Sequence, residues 1–116
     1  MRGIIWYKDE CFNGLEKLKD IVKKYEQVKI PTVRVHYSTW NAYAEFENGD
    51  IWRVKKAHDF SRGHRCNIAY VERSIDYETY RCIIAPNVSD FPYSAIRLWG
   101  EGNLHITDNI IPQLPF

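Results

Sequence analysis

Charge of one sign is what this sequence has least of: 16 Lys and Arg stand against 15 Asp and Glu over 116 residues, a formal net charge of +1. No global field draws such a chain to nucleic acid or membrane, so any basic binding surface has to be local. Cysteine is sparse and irregular. Cys11, Cys66 and Cys82 include no Cys-x-x-Cys pair and no Cys/His pair at zinc spacing. An odd, unpatterned set argues against a disulfide framework and for buried free thiols in a reducing compartment. Long hydrophobic runs are missing as well. Nothing approaches the roughly 20 apolar residues of a membrane span, and no apolar stretch follows a basic cluster near Met1 as a secretory leader requires. The expectation is a protein of the cytoplasm with no membrane partner.

What is present is ordinary for a folded domain. Hydrophobic residues make up 45% and charged residues 27%, which argues against disorder. A chain of this length forms one domain, residues 1–116, with a core that needs no covalent staple. Aromatic residues reach 15%, more than a small core needs by default. Most of these rings are expected inside, and a minority outside as binding groups, with Tyr7, Trp52 and Trp99 as candidates.

Periodicity supplies the elements. Gly3 to Tyr7 reads as a short apolar strand. Over residues 14–26, Leu15, Leu18, Ile21, Val22 and Tyr25 recur at three- and four-residue steps and predict an amphipathic helix, stopped before Pro31. Thr32 to Tyr37 is β-rich. Trp40, Ala42, Ala44 and Phe46 alternate with polar residues, and Asn48-Gly49 then predicts a tight turn with positive φ at both positions. Residues 32–56 therefore read as a β-hairpin. Asn67 to Glu72 fits a strand buried on both faces. A second helix is expected over 75–84, capped by Ser74 or Asp76 and stopped before Pro86. Ala95–Trp99 and Leu104–Thr107 suggest a small hairpin. The end, Asn109 to Phe116, is apolar but broken by two prolines. It reads as an irregular arm whose Ile110, Ile111, Leu114 and Phe116 pack on the body or on a second copy, making a homo-oligomer. The fold class is α/β, with α+β as the alternative: a small mixed sheet, two helices and the arm.

From Ala44 to Pro86 the sequence resembles the ATPase core of phage terminase large subunits. Phe46, Asn48 and Gly49 match the turn after a strand in that family. Arg62, Gly63 and Arg65 match its Arg-Gly-x-Arg loop, and Ile68 to Val71 followed by Glu72 stands where its acidic strand lies. Most of the chain also resembles short phage and prophage proteins of unknown role. The resemblance implies a nucleotide-binding scaffold, but the machinery departs from it. Hydrolysis on that scaffold needs a glycine-rich phosphate loop with a Lys and a Ser/Thr for magnesium. Here the loop Lys8 to Asn13 carries Asp9 and Glu10 and no Gly-Lys-Ser/Thr, and the acidic pair has become Glu72-Arg73.

One segment stands out chemically. Arg53, Lys55, Lys56, Arg62 and Arg65 face a single carboxylate, Asp59, with His58, Gly63 and His64 among them. Such a set suits a phosphate, a nucleotide or a nucleic-acid backbone. The plainer reading is a solvated strand whose arginines pair with Glu45, Glu47 or Glu72. Glu72 is itself a candidate, because ligands of open α/β sheets bind beyond the carboxyl ends of strands. His36, His58, His64 and His105 lack metal spacing, and Cys66 beside a buried strand reads as an inert core thiol. No catalytic residue, cofactor or metal site is assigned. The expectation is a non-enzymatic binding protein of phage type: an anti-defence inhibitor that sequesters a host protein or a signalling nucleotide. The alternatives are a DNA-binding accessory of packaging or replication and, last, a metal-dependent nuclease or hydrolase using Glu72.

Overall fold

The computed structural model describes residues 1–39, 41–58, 65–88 and 95–105. Strand β1 (Arg2–Tyr7) leads into helix α1 (Cys11–Gln27). A meander follows: β2 (Thr32–His36), β3 (Tyr43–Phe46) and β4 (Ile51–Lys56). Then come β5 (Ile68–Glu72), a short helix α2 (Tyr77–Thr79) that runs on as a π-turn over Tyr80–Ile84 and a 3-10 turn over Ala85–Asn87, and β6 (Ala95–Trp99). The strands form one mixed sheet in the order β2-β3-β4-β1-β5-β6. β1 runs parallel to both β4 and β5, β6 is parallel to β5, and β3 is antiparallel to β2 and β4. The α/β expectation holds.

Strand alternation sends the two sides of this sheet to two cores. On one side Ile5, Tyr70, Trp52, Val54, Ala44 and Phe46 meet the stripe of α1, where Leu18, Ile21, Val22 and Tyr25 are buried. On the other, Ile4, Trp6, Ala69 and Val71 meet Ile75, Tyr80, Ile83 and Ile84. β5 lies between the two cores and all five of its residues are buried, as its unbroken apolar run predicts. Gly3 has a steric role here. A Cβ at that position would strike the Trp52 ring, so only glycine lets the indole lie against β1.

A buried polar chain ties the layers together. Trp52 Nε1 donates to Tyr25 Oη at 3.1 Å, and Tyr25 Oη donates to Asp50 Oδ2 at 2.6 Å. Asp50 is only 7% exposed, and Asn48 Nδ2 donates to the same carboxylate oxygen at 3.0 Å. Tyr25 also stacks on Phe46, with ring centroids 3.7 Å apart. Burial, then the Asp50 hydrogen bond, pushes the Tyr25 phenol pKa well up.

Three expectations change. The β3–β4 turn is not the mirror-image type with two left-handed residues. Gly49 has φ +94, whereas Asn48 is not left-handed; Gly49 N donates to Phe46 O at 3.0 Å and Phe46 N to Asp50 O at 2.9 Å. This is a turn closed by a glycine bulge, with Asn48 acting through its side chain, which accepts from Asp50 N at 3.0 Å. Second, α1 begins at Cys11, three residues before the predicted start, with no side-chain cap. Third, Ala95–Trp99 pairs in parallel with β5, and Leu104, expected opposite it in a hairpin, instead donates through its N to Arg73 O at 3.1 Å; residues 106–107 of that expected hairpin lie outside the described residues. Of the two expected caps, Asp76 is the one used: its Oδ2 accepts from Thr79 N at 3.0 Å. The arm candidates Ile110, Ile111, Leu114 and Phe116 lie outside the described residues.

Candidate functional site

The side of the sheet on which β1, β5 and β6 pack against Ile75 and the π-turn residues Tyr80, Ile83 and Ile84 continues across β4, β3 and β2. Cross-strand register places its residues in two rows. His36, Tyr43, Arg53 and Ile4 stand side by side, and so do Arg34, Glu45, Ile51 and Arg2. Lys55, two residues beyond Arg53, points to the same side. Arg2, Arg34, His36, Arg53 and Arg65 are exposed, while Tyr43, Glu45 and Lys55 are half-buried.

Arg65 joins this surface from the crossover between β4 and β5. The crossover is anchored by Asn67, whose N donates to Arg2 O at 2.8 Å and whose Oδ1 accepts from Arg2 N at 2.8 Å. The result is a groove of about 360 Å³ with Ile4 and Ile51 on its floor and Arg2, Arg53, Lys55 and Arg65 on its walls. None of these four cations, nor Arg34, is ion-paired to a described carboxylate. Beside the groove the rings of His36 and Tyr43 stack at 5.7 Å and 22°, and the Arg53 guanidinium lies 5.5 Å from the Tyr43 centroid. Cation–π attraction of this kind fixes the arginine over the strand and leaves its N–H groups free to donate.

A second concavity has the opposite character. Beyond the carboxyl ends of β1, β5 and β6, where the connections of β1 and β5 diverge, lies a crevice of about 580 Å³. Open α/β sheets bind their ligands at this point. Asp9, Glu10, Glu16, Asp20, Glu72 and Glu101 line it, against Lys17. Lys17 is held by Asp20 at 3.3 Å and sits 4.5 Å over the Tyr70 ring; burial lowers its pKa, and Asp20 acts against that.

Glu72 closes the β1–α1 loop from within. It is only 5% exposed; its Oε1 accepts from Lys8 N at 3.0 Å and its Oε2 from Asn13 Nδ2 at 2.9 Å. A phosphate loop turns its N–H groups towards a bound anion. Here a side-chain carboxylate takes the Lys8 N–H, and the surrounding acids repel a phosphate. The two bonds straddle the start of α1, Lys8 before it and Asn13 in its first turn.

The residues singled out from sequence therefore divide. Arg53, Lys55 and Arg65 converge on the groove. Lys56 and His58 are exposed where the crossover begins, and both make contacts there. Arg62, Gly63 and His64 lie outside the described residues. Glu72 belongs to the acidic crevice, beyond the carboxyl end of β5. Trp99 is half-buried in that crevice.

One aromatic candidate is corrected. Trp52 is fully buried: it points towards α1 and spends its N–H on Tyr25. Tyr7 is half-buried near Gly14, its phenol pushed up to about 12 by burial and then by Cys11. Cys66 is buried and its thiol is likewise pushed up to about 12, as expected of an inert core thiol. Sequence reasoning missed Arg2, Arg34, His36 and Tyr43. The outward positions of the meander could have revealed the last three, whereas Arg2 joins only through the parallel β1–β4 register. Among the described residues no three His, Cys, Asp or Glu cluster as a metal site, and no helix is long and apolar enough to cross a membrane. No protein-family model, curated protein or solved structure matches the chain.

Proposed function

We infer that this chain is a non-enzymatic binding protein whose basic sheet surface takes a polyanionic partner, with nucleic acid the leading class. The observation that carries the inference is the convergence of Arg2, Arg34, Arg53, Lys55 and Arg65 on one side of the sheet, with Glu45 the facing carboxylate and no ion pair made to a described carboxylate. In a chain with a net charge of +1, such segregation gives a local positive field where the whole molecule has almost none. A signalling nucleotide in the switch-point crevice would meet six carboxylates, so that reading is the weaker one. A DNA-binding accessory role fits the basic surface better.

The test is fluorescence anisotropy with a labelled oligonucleotide across a salt series. Five phosphate contacts give a log–log slope of about −3.5 for a single strand, or roughly 100-fold weaker binding between about 50 and 200 mM salt. Arg53→Gln with Arg65→Gln should flatten the slope by about 1.4. A slope near zero, or one that the double substitution leaves unchanged, refutes the inference.

A further inference from the structure

We propose that the row His36–Tyr43–Arg53 makes this surface a platform for single-stranded nucleic acid, with unpaired bases stacking on the row while the flanking cations hold the phosphates. The proposal rests on the polyanion-binding inference and deepens it, since charge alone does not distinguish a single strand from a duplex or a sulfated sugar.

Three features point to unpaired bases. The row is preformed. Its members occupy directly opposed positions on β2, β3 and β4, so the pairing of the sheet aligns the His36 and Tyr43 rings at 5.7 Å and brings Arg53 to 5.5 Å from Tyr43. Its two ends are exposed, the His36 ring on the outer strand and the Arg53 guanidinium beside the groove. Bases stack on aromatic rings and on guanidinium planes alike, and they do so only when splayed out of a duplex. Third, the cations bracket the row. Arg34 lies two residues from His36 on the same side of β2, and Arg2, Lys55 and Arg65 line the groove beyond Arg53.

At about 4.8 Å between strands, the span from β2 to β1 is about 14 Å. A strand laid across the sheet thus meets a cation, the row of stacked groups and then the groove. Rings on a sheet of comparable width hold two or three bases. The Tyr43 ring, half-buried between His36 and Arg53, keeps both neighbours in stacking order, and His36 and Arg53 offer the surfaces a base reaches.

The experiment compares four probes on the full chain at one salt concentration: oligo-dT, oligo-rU, a DNA duplex of equal charge, and heparin. Wild type is expected to bind either single strand at least about 5-fold more tightly than duplex or heparin. Removing one stacking group costs about 5- to 150-fold per base. His36→Ala and Tyr43→Ala should each weaken single-strand binding by an amount in that range and leave duplex and heparin binding within about 2-fold. Tyr43→Phe keeps the ring and should bind as wild type does. Circular dichroism checks that the variants fold; should Tyr43→Ala unfold, exposed His36→Ala decides by the same ratio. Equal affinity for all four probes, or equal losses on all four in the alanine variants, overturns the platform but leaves polyanion binding standing. Failure to bind any of them overturns both.

Discussion

Replacing Tyr25 with Phe removes one oxygen from the interior and leaves the ring in place. The stack on Phe46, at 3.7 Å and 14°, survives the change, so apolar packing is held constant. What is lost is the middle of the chain from Trp52 Nε1 through Tyr25 Oη to Asp50 Oδ2, at 3.1 and 2.6 Å. A hydrogen bond to a charged group is worth about 1.5–3 kcal/mol, a neutral one about 1, and a buried donor left unpaired costs about 1–3. Trp52 is 0% exposed, so no water replaces the phenol at the indole N–H. Asp50 keeps Asn48 Nδ2 at 3.0 Å, which limits its share of the loss. These terms overlap, and a loss of about 3 kcal/mol is expected. Unfolding entropy for 116 residues is about 0.24 kcal/mol/K, so Tm should fall by about 12 °C. Thermal unfolding followed by far-ultraviolet circular dichroism measures this directly. The double variant with Asp50→Asn should cost less than the sum of the two single changes, because both act on one bond. A fall of less than about 3 °C for Tyr25→Phe would refute the view that this chain ties the layers together.

Other outcomes follow from the same contacts. Gly3→Ala drives a Cβ into the Trp52 ring and should cost at least about 1–3 kcal/mol in urea unfolding, or prevent folding. Asp76→Ala removes the cap on Thr79 N and should cost about 1 kcal/mol, whereas Asp76→Asn should cost less. Stability should decline in alkali. Burial holds Cys66 and Tyr7 up to about 12, and burial with the Asp50 bond raises Tyr25. The unfolded thiol and phenols release protons from about pH 9 to 10 while the folded ones keep theirs. The folded state then binds more protons, so stability is full below about pH 8 and falls as pH rises through about 9 to 12. Tyr37 and Tyr80, also raised chiefly by burial, add to the fall, and Lys17, whose pKa is lowered chiefly by burial, opposes it with one group against these five. The urea midpoint at about pH 10.5 should therefore lie below that at pH 8, and an unchanged midpoint contradicts the assigned burial.

Local pattern carried the parts of the fold that local chemistry decides. The three- and four-residue recurrence of Leu18, Ile21, Val22 and Tyr25 marked the buried stripe of α1, and Ala42, Ala44 and Phe46 marked the inner side of the meander. The unbroken run before Glu72 marked the strand buried on both faces. What escaped notice depends on partners distant in sequence. The start of α1 at Cys11 is flanked by Lys8 and Asn13, both bonded to Glu72 more than fifty residues away. β6 takes β5 as a parallel partner, with Ile96 and Leu98 packed against the second core, a pairing across more than twenty residues.

The candidate site divides along the same line. The basic run Arg53 to Arg65 was visible as composition, but its conversion into a groove needed Arg2 from the neighbouring parallel strand. Trp52 looked like a surface ring because nothing in its own neighbourhood shows that Gly3 leaves room for it. Glu72 sits where a ligand-binding carboxylate belongs, yet its oxygens are committed to the backbone and side chain of its own loop.

The central claim is that a nucleic-acid strand lies on the basic side of β2, β3 and β4 and not in the acidic crevice. Amide chemical-shift mapping with a short oligo-dT tests it most directly. The account predicts shifts at Arg2, Arg34, His36, Tyr43, Arg53, Lys55 and Arg65, with Asn13, Lys17, Trp99 and Gly100 unmoved. Shifts centred on Trp99 and Gly100 with the basic strands unmoved would contradict it.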